Sequence, residues 1–307
     1  MAVSRREFLK LMAGAGAVGA AAATVLPKKA EASYEFGGYP DRMGVLCDTS
    51  LCIGCRSCEG ACNEANNLPK PADKAQAFDN LKVLDTKRRM DHAHFTVVNK
   101  FAKAETGAKN DVFVKKQCMH CDEPACFAAC LAKAFTKTPE GAVVYAANHC
   151  IGCRYCMQAC PFYVPTYEYG DAFTPRVRKC TMCYDRVKAG GIPACVQTCP
   201  QEALIFGKRD DLLKIARRRL DAENSQYVDH IYGEKEVGGT CWLYITKTPF
   251  EKLDFKMTLG TEALPRLTYG YLATIPVLHV GLPVLLAGFY VITRGITQAH
   301  GKQEEHK

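Results

Sequence analysis

At 307 residues the chain has room for one large or two modest domains, and 48% hydrophobic with 23% charged residues excludes a disordered or collagen-like polymer. The net charge is +8, of which five basic and two acidic residues in the first 32 contribute +3; the remaining +5 is too little for a nucleic-acid-binding surface. Eighteen cysteines are the unusual quantity, and their spacing decides between disulfide staples and metal ligands.

The chain opens Ser4-Arg5-Arg6-Glu7-Phe8-Leu9-Lys10, runs weakly apolar through Ala and Gly to Leu26, and reaches Ala30-Glu31-Ala32. Paired arginines, a mild apolar stretch and an A-x-A site in that order predict a twin-arginine export signal over residues 1–32. Within it, Gly14, Gly16 and Gly19 match the dinucleotide G-x-G-x-x-G pattern, but no strand precedes them, so no nicotinamide or flavin site is read there.

Residues 33–250 carry the cysteine grid. A strand fragment at Met43–Thr49 leads into Cys52, Cys55, Cys58 and Cys62. Residues 63–117 read as an insertion for packing or docking, with short strands at Phe95–Val98 and Val112–Lys115. Cys118, Cys121, Cys126 and Cys130 follow. The stretch Ala134–His149 reads as strand, Pro-Glu-Gly turn and strand, the hairpin of a small ferredoxin, and feeds Cys150, Cys153, Cys156 and Cys160. Cys180, Cys183, Cys195 and Cys199 complete the grid, and a last strand fragment lies at Ala203–Gly207.

The first and third groups are C-x2-C-x2-C-x3-C, the bacterial ferredoxin spacing, in which three thiolates hold one [4Fe-4S] cube and the fourth serves another. The second widens one gap to x4 and the fourth to x11, while Pro161 and Pro200 follow the closing cysteines of groups three and four. Three cysteines in seven residues are too close for independent disulfides, and twin-arginine cargo folds in a reducing compartment. Zinc ribbons use separated C-x2-C pairs, which groups one and three are not. Attached haem needs C-x-x-C-H, whereas Arg56, Asp122, Arg154 and Tyr184 follow the four C-x2-C pairs. Gly54 and Gly152 suit a loop pressed against a cube. Cys47 and Cys241 lie outside the grid and read as small apolar fillers, and His120 and His149 as loop residues beside it. With no catalytic pair and no nucleophile beside a base, the chain reads as a non-catalytic electron carrier.

After a linker at 251–268, residues 269–292 contain no Asp, Glu, Lys or Arg, enough to span a hydrocarbon core as one helix despite Pro276 and Pro283. Basic residues flank it on both sides, so orientation comes from the export signal: body outside, tail 293–307 in the cytoplasm. His279, mid-span, is a functional candidate, at a quinone or haem site or as a hydrogen-bond donor to a partner helix.

With these quartets the chain resembles the four-cluster ferredoxin-type subunits of membrane-bound oxidoreductases, among them formate dehydrogenase β-subunits and subunits of sulfur-compound reductases. The combination of leader and anchor, with Tyr232–Thr240 and Pro249–Leu253, is most similar to the hydrogenase-2 iron-sulfur subunits of HybA type. The resemblance implies an α+β fold, a duplicated two-cluster bacterial ferredoxin with insertions plus one C-terminal transmembrane helix, carrying four [4Fe-4S] clusters. It also implies the ligand sets: Cys52, Cys55, Cys58 with Cys199; Cys180, Cys183, Cys195 with Cys62; Cys118, Cys121, Cys126 with Cys160; Cys150, Cys153, Cys156 with Cys130. The implied partners are hydrogenase large and small subunits, or a molybdopterin subunit, and an integral membrane quinone-reactive subunit. The implied location is the periplasmic face of the inner membrane.

Overall fold

The central strand of the largest sheet is a near-continuous apolar run, β1 (Met43–Asp48), as expected of a strand covered on both faces. The computed structural model describes residues 38–71 and 77–304, so the export signal predicted at 1–32 lies outside the described residues. In chain order there follow α1 (Ser57–Ala65), β2 (Val97–Phe101), α2 (Lys103–Thr106), β3 (Val112–Lys116), α3 (Ala125–Ala128), β4 (Phe135–Lys137), β5 (Val143–Tyr145) and α4 (Tyr155–Ala159). Then come β6 (Thr166–Tyr167), β7 (Val177–Arg178), α5 (Tyr184–Lys188), α6 (Ala194–Gln197), β8 (Leu204–Lys208), α7 (Arg209–Leu220), β9 (Trp242–Ile245) and α8 (Leu264–Glu304). The content is mixed helix and strand, and residues 36–267 make one compact unit while the chain from Thr268 onward belongs to another.

The strand fragments read at Met43–Thr49 and Ala203–Gly207 are neighbours: β8 pairs antiparallel with β1, Val45 opposite Phe206. On the other side β9 runs parallel to β1, Val45 opposite Trp242. One face of this sheet, with Val45, Cys47, Trp242 and Tyr244, looks towards the cysteines. The other, with Leu46, Leu243 and Ile245, is covered by Leu212, Ala216 and Leu220 of α7. Those helix positions recur every fourth residue on one face, with Asp210 and Asp211 in the first turn and Arg217, Arg218 and Arg219 in the last, as the helix dipole favours.

The insertion contributes the β2–β3 hairpin, in which Asn99 faces Val114, and Leu253 packs beneath Phe101 and Val114. The hairpin read at Ala134–His149 is β4–β5, Phe135 opposite Tyr145, closed by Gly141 at φ 94°. A 3-10 turn, Phe250–Leu253, with Phe250 and Leu253 buried, runs into the segment read as a linker at 251–268, and α8 already begins within it at Leu264. Residues 264–291 of α8 are long and apolar enough to cross a membrane, and Pro276 and Pro283 lie inside that helix.

Candidate functional site

The four cysteine loops repeat one backbone shape. The residue before the second cysteine of each group has positive φ: Gly54 at 73°, His120 at 48°, Gly152 at 72° and Met182 at 58°. A further left-handed residue stands three positions after the closing cysteine in groups two to four, at Lys133, Tyr163 and Glu202. Each donates its N–H to the carbonyl of that cysteine, at 3.1, 3.2 and 3.3 Å. In the first group the helix α1 instead continues to Ala65, and the left-handed residue that follows it is Asn67. These turns fold each loop back on itself and aim amides at sulfur: Gly152 N–H at Cys150 Sγ (3.4 Å), Met182 N–H at Cys180 Sγ (3.3 Å), Ala134 N–H at Cys130 Sγ (3.2 Å). At Gly54 there is also a steric demand, because a Cβ there would lie 2.4 Å from the Phe113 ring of β3.

Packing brings the groups together crosswise. Cys52, Cys55, Cys58 and Cys199 line one cavity, with Cys47, Leu204 and Lys115 completing its wall. Cys118, Cys121, Cys126 and Cys160 line another, walled by Val143, Phe162, Val164 and Lys179. Cys62 lies in the electrostatic field of Cys180, Cys195 and Cys183. Cys156 lies in that of Cys130, Cys150 and Cys153. The quartets also neighbour one another in sequence: Cys58 feels Cys195, Cys180 feels Cys118, and Cys126 feels Cys156. Helix α1 packs on α6, and α3 on α4, so groups one and four form one half and groups two and three the other.

The thiols are strongly desolvated. Burial, with neighbouring thiolates adding to it, pushes Cys52, Cys156 and Cys160 up to about 11 and Cys126 and Cys180 up to about 12. Lys115 opposes this at Cys58 and Cys195, Lys179 at Cys126, and Lys137 at Cys121. Alone, such thiols stay neutral; as thiolates they need several positive charges close by. The two cavities, each with four soft sulfur donors in largely apolar walls and backbone N–H groups aimed at sulfur nearby, fit an iron-sulfur cube on both counts.

The loops are braced by buried ion pairs that their spacing alone does not reveal. Arg56, just after Cys55, binds Glu59 Oε2 through Nη2 at 2.9 Å and donates to the carbonyls of Ala77 and Asn80. Glu59 in turn accepts from Arg88 (2.5 Å) and the Val98 amide (2.7 Å), tying α1 to β2. Asp122, just after Cys121, holds Arg42 at 2.8 Å, with Lys137 and Arg209 at 3.7 and 3.9 Å.

Cys241 is fully buried with its thiol 3.3 Å from the Gly141 carbonyl, and Cys47 borders the first cavity. His120 is buried; burial and the cations Lys179 and Lys137 hold it neutral, and Nδ1 accepts from the Val143 amide at 2.8 Å. His149 is exposed, and His279 Nδ1 is 2.9 Å from the Ile275 carbonyl of its own helix.

Comparison with known proteins agrees with this chemistry. Residues 110–209 match the 4Fe-4S dicluster domain. A protein of Nitratidesulfovibrio vulgaris is 49% identical over 292 residues, 95% of this chain and 77% of that one. The hydrogenase-2 operon protein HybA of Shigella flexneri is 33% identical over 285 residues, 82% of this chain and 83% of that one. The nitrate-inducible formate dehydrogenase iron-sulfur subunit of the same organism is 34% identical over 254 residues, 77% of this chain and 83% of that one. Cysteine loops of ferredoxin shape, desolvated thiol quartets and relatives spanning most of the chain lead to one conclusion: it belongs to the ferredoxin-type iron-sulfur electron-transfer subunits that include HybA and the formate dehydrogenase iron-sulfur subunits.

Proposed function

We propose that this chain is a non-catalytic relay that carries electrons through four [4Fe-4S] clusters along the outer face of the inner membrane. The observation that carries the reading is the succession of thiol quartets, in which each lies in the electrostatic field of the next. The order along the relay is then Cys52/Cys55/Cys58/Cys199, Cys62/Cys180/Cys183/Cys195, Cys118/Cys121/Cys126/Cys160 and Cys130/Cys150/Cys153/Cys156. Each cube, when bound, supplies a one-electron couple. The chain's part is to fix the cubes in a row, to exclude water from the inner ones, and to present N–H groups and cations to their sulfurs. Opposed pairs α1/α6 and α3/α4, with the repeated left-handed positions, support a duplicated two-cluster ferredoxin.

In this reading residues 1–32 are the export signal, 33–250 the relay, 251–268 its connection, 269–292 the single membrane span and 293–307 a cytoplasmic tail. The electron partner is a [NiFe] hydrogenase pair on one side and a quinone-reactive membrane subunit on the other, by likeness to the hydrogenase-2 operon protein. A second reading, a molybdenum oxidoreductase in place of the hydrogenase, draws on the formate dehydrogenase relatives. Affinity capture of the detergent-solubilised chain from its native membrane, with iron analysis and mass spectrometry of partners, separates them. Nickel-enzyme subunits with about sixteen irons per chain are expected. A molybdopterin subunit would keep the relay and change its donor, and zinc without iron would overturn it.

A further inference from the structure

Lys115 is 3% exposed, although it lies in the strand Val-Phe-Val-Lys-Lys, where its neighbour Lys116 forms an ordinary surface ion pair with Asp254. A buried ammonium is costly unless its charge is answered. Its Nζ donates to Thr96 Oγ1 at 2.8 Å and Gln117 Oε1 at 2.9 Å, and lies 4.6 Å from the centre of the Trp242 ring. All three are neutral, and among the described residues Lys115 forms no ion pair with a carboxylate. The other two lysines buried at the grid are answered differently: Lys137 by two carbonyls and Asp122, Lys179 by the carbonyls of Val143 and Cys180.

What faces Lys115 is sulfur. It lines the cavity of Cys52, Cys55, Cys58 and Cys199. The Trp242 ring beneath it belongs to the same buried cluster as Cys195, Cys58 and Cys199. Cys195, Cys58, Cys180 and Cys62 are the charges that act on it most strongly, two quartets meeting at one cation. Thr96, Gln117 and Trp242 come from three separate segments and fix the ammonium there.

We propose that Lys115 is a positioning residue, a fixed cation shared by the first two cubes, which raises the reduction potential of both. The inference rests on the relay reading above. An oxidised cube with four thiolates carries about −2 and takes on one more negative charge when reduced, and a nearby cation in a low-dielectric wall favours that step. No proton or further reactant enters: one electron arrives from the reductant and stays on the cube. The first half of the relay is thereby held at higher potential than its sulfur ligation alone would set.

The test is a redox titration of the iron-loaded, full-length protein in detergent, reduced stepwise with dithionite and followed by electron paramagnetic resonance. In Lys115→Met two of the four midpoint potentials should fall, each by at least tenfold in the reduction equilibrium, which is 59 mV for a one-electron couple. Lys115→Arg should keep both near the parent values, and Lys179→Met should move a different cube. If Lys115→Met loads iron poorly, Lys115→Gln keeps the polar contacts while dropping the charge and reads the same potentials. Full iron with four unmoved potentials overturns this inference and leaves the relay standing, as does an equal shift of all four. Parent protein without iron overturns the relay itself.

Discussion

The two halves of the cysteine grid use one loop geometry in different surroundings. Groups one and four sit under the β8-β1-β9 sheet, the β2–β3 hairpin and a cap of aromatic residues from Tyr232 to Phe250; Cys62, Cys180 and Cys195 are buried there, as Cys118, Cys126, Cys156 and Cys160 are in the other half. Groups two and three are held by the two- and three-residue strands of β4–β5 and β6–β7. At that end Cys153 is exposed, and Leu131, Ile151 and Tyr155 are 82, 69 and 57% exposed. The contrast teaches that the loop shape does not dictate access to a site. Access is decided by what is inserted around the loops, and here the insertion and the C-terminal strand are spent on one half.

The largest effects expected are at the ligands. Cys195→Ser should cost about four irons per chain and a large part of the melting temperature, whereas Cys153→Ser should cost the same iron with little loss of thermal stability. Equal melting temperatures would erase the distinction between the halves. Next comes Asp122→Ala, which strands buried Arg42 and should destabilise by about 3–5 kcal/mol in urea unfolding. In the sheet, Leu243→Ala removes a fully buried side chain and should cost about 2–5 kcal/mol by the same measurement. Ile151→Glu at the open end should stay within about 0.5 kcal/mol, yet weaken capture of the electron partner; unchanged capture would move the docking face elsewhere. The smallest effect is at Asp91. Burial pushes its carboxyl up, but the hydrogen bond and charge of His94, with the Ala93 and His94 amides, win and hold it below its usual range. Its contribution is present above about pH 4 and lost as pH falls through the lowered value. Being half exposed it is worth less than about 1 kcal/mol, and in Asp91→Asn that acid-side loss should disappear from the stability profile.

Much of this was legible in the residues. The cysteine spacing, the Phe135–Tyr145 hairpin and the strands flanking the grid are local signals, set within a few residues by turn chemistry and alternation. What the residues did not disclose is non-local. Trp242–Ile245 is a strand because β1, far back in the chain, offers an open edge. The strand read at Val112–Lys115 does not mark Lys115 as buried, since Thr96 and Trp242, which receive it, lie in other segments. Left-handed Gly54 and Gly152 announce themselves, but His120 and Met182 adopt the same conformation with side chains that rarely do, and only the repeated loop exposes them.

That last feature bears on how the loops can drift in evolution. Position 54 is held to glycine by its positive φ and by Phe113, a residue of another element, whereas 120 and 182 carry large, fully buried side chains in an equivalent turn. At position 54 the freedom to vary is therefore shared with a neighbouring element. A change at Phe113 would remove the steric demand at Gly54 and leave that of its positive φ, and a signature that insists on glycine would recognise two of these four loops and pass over the other two.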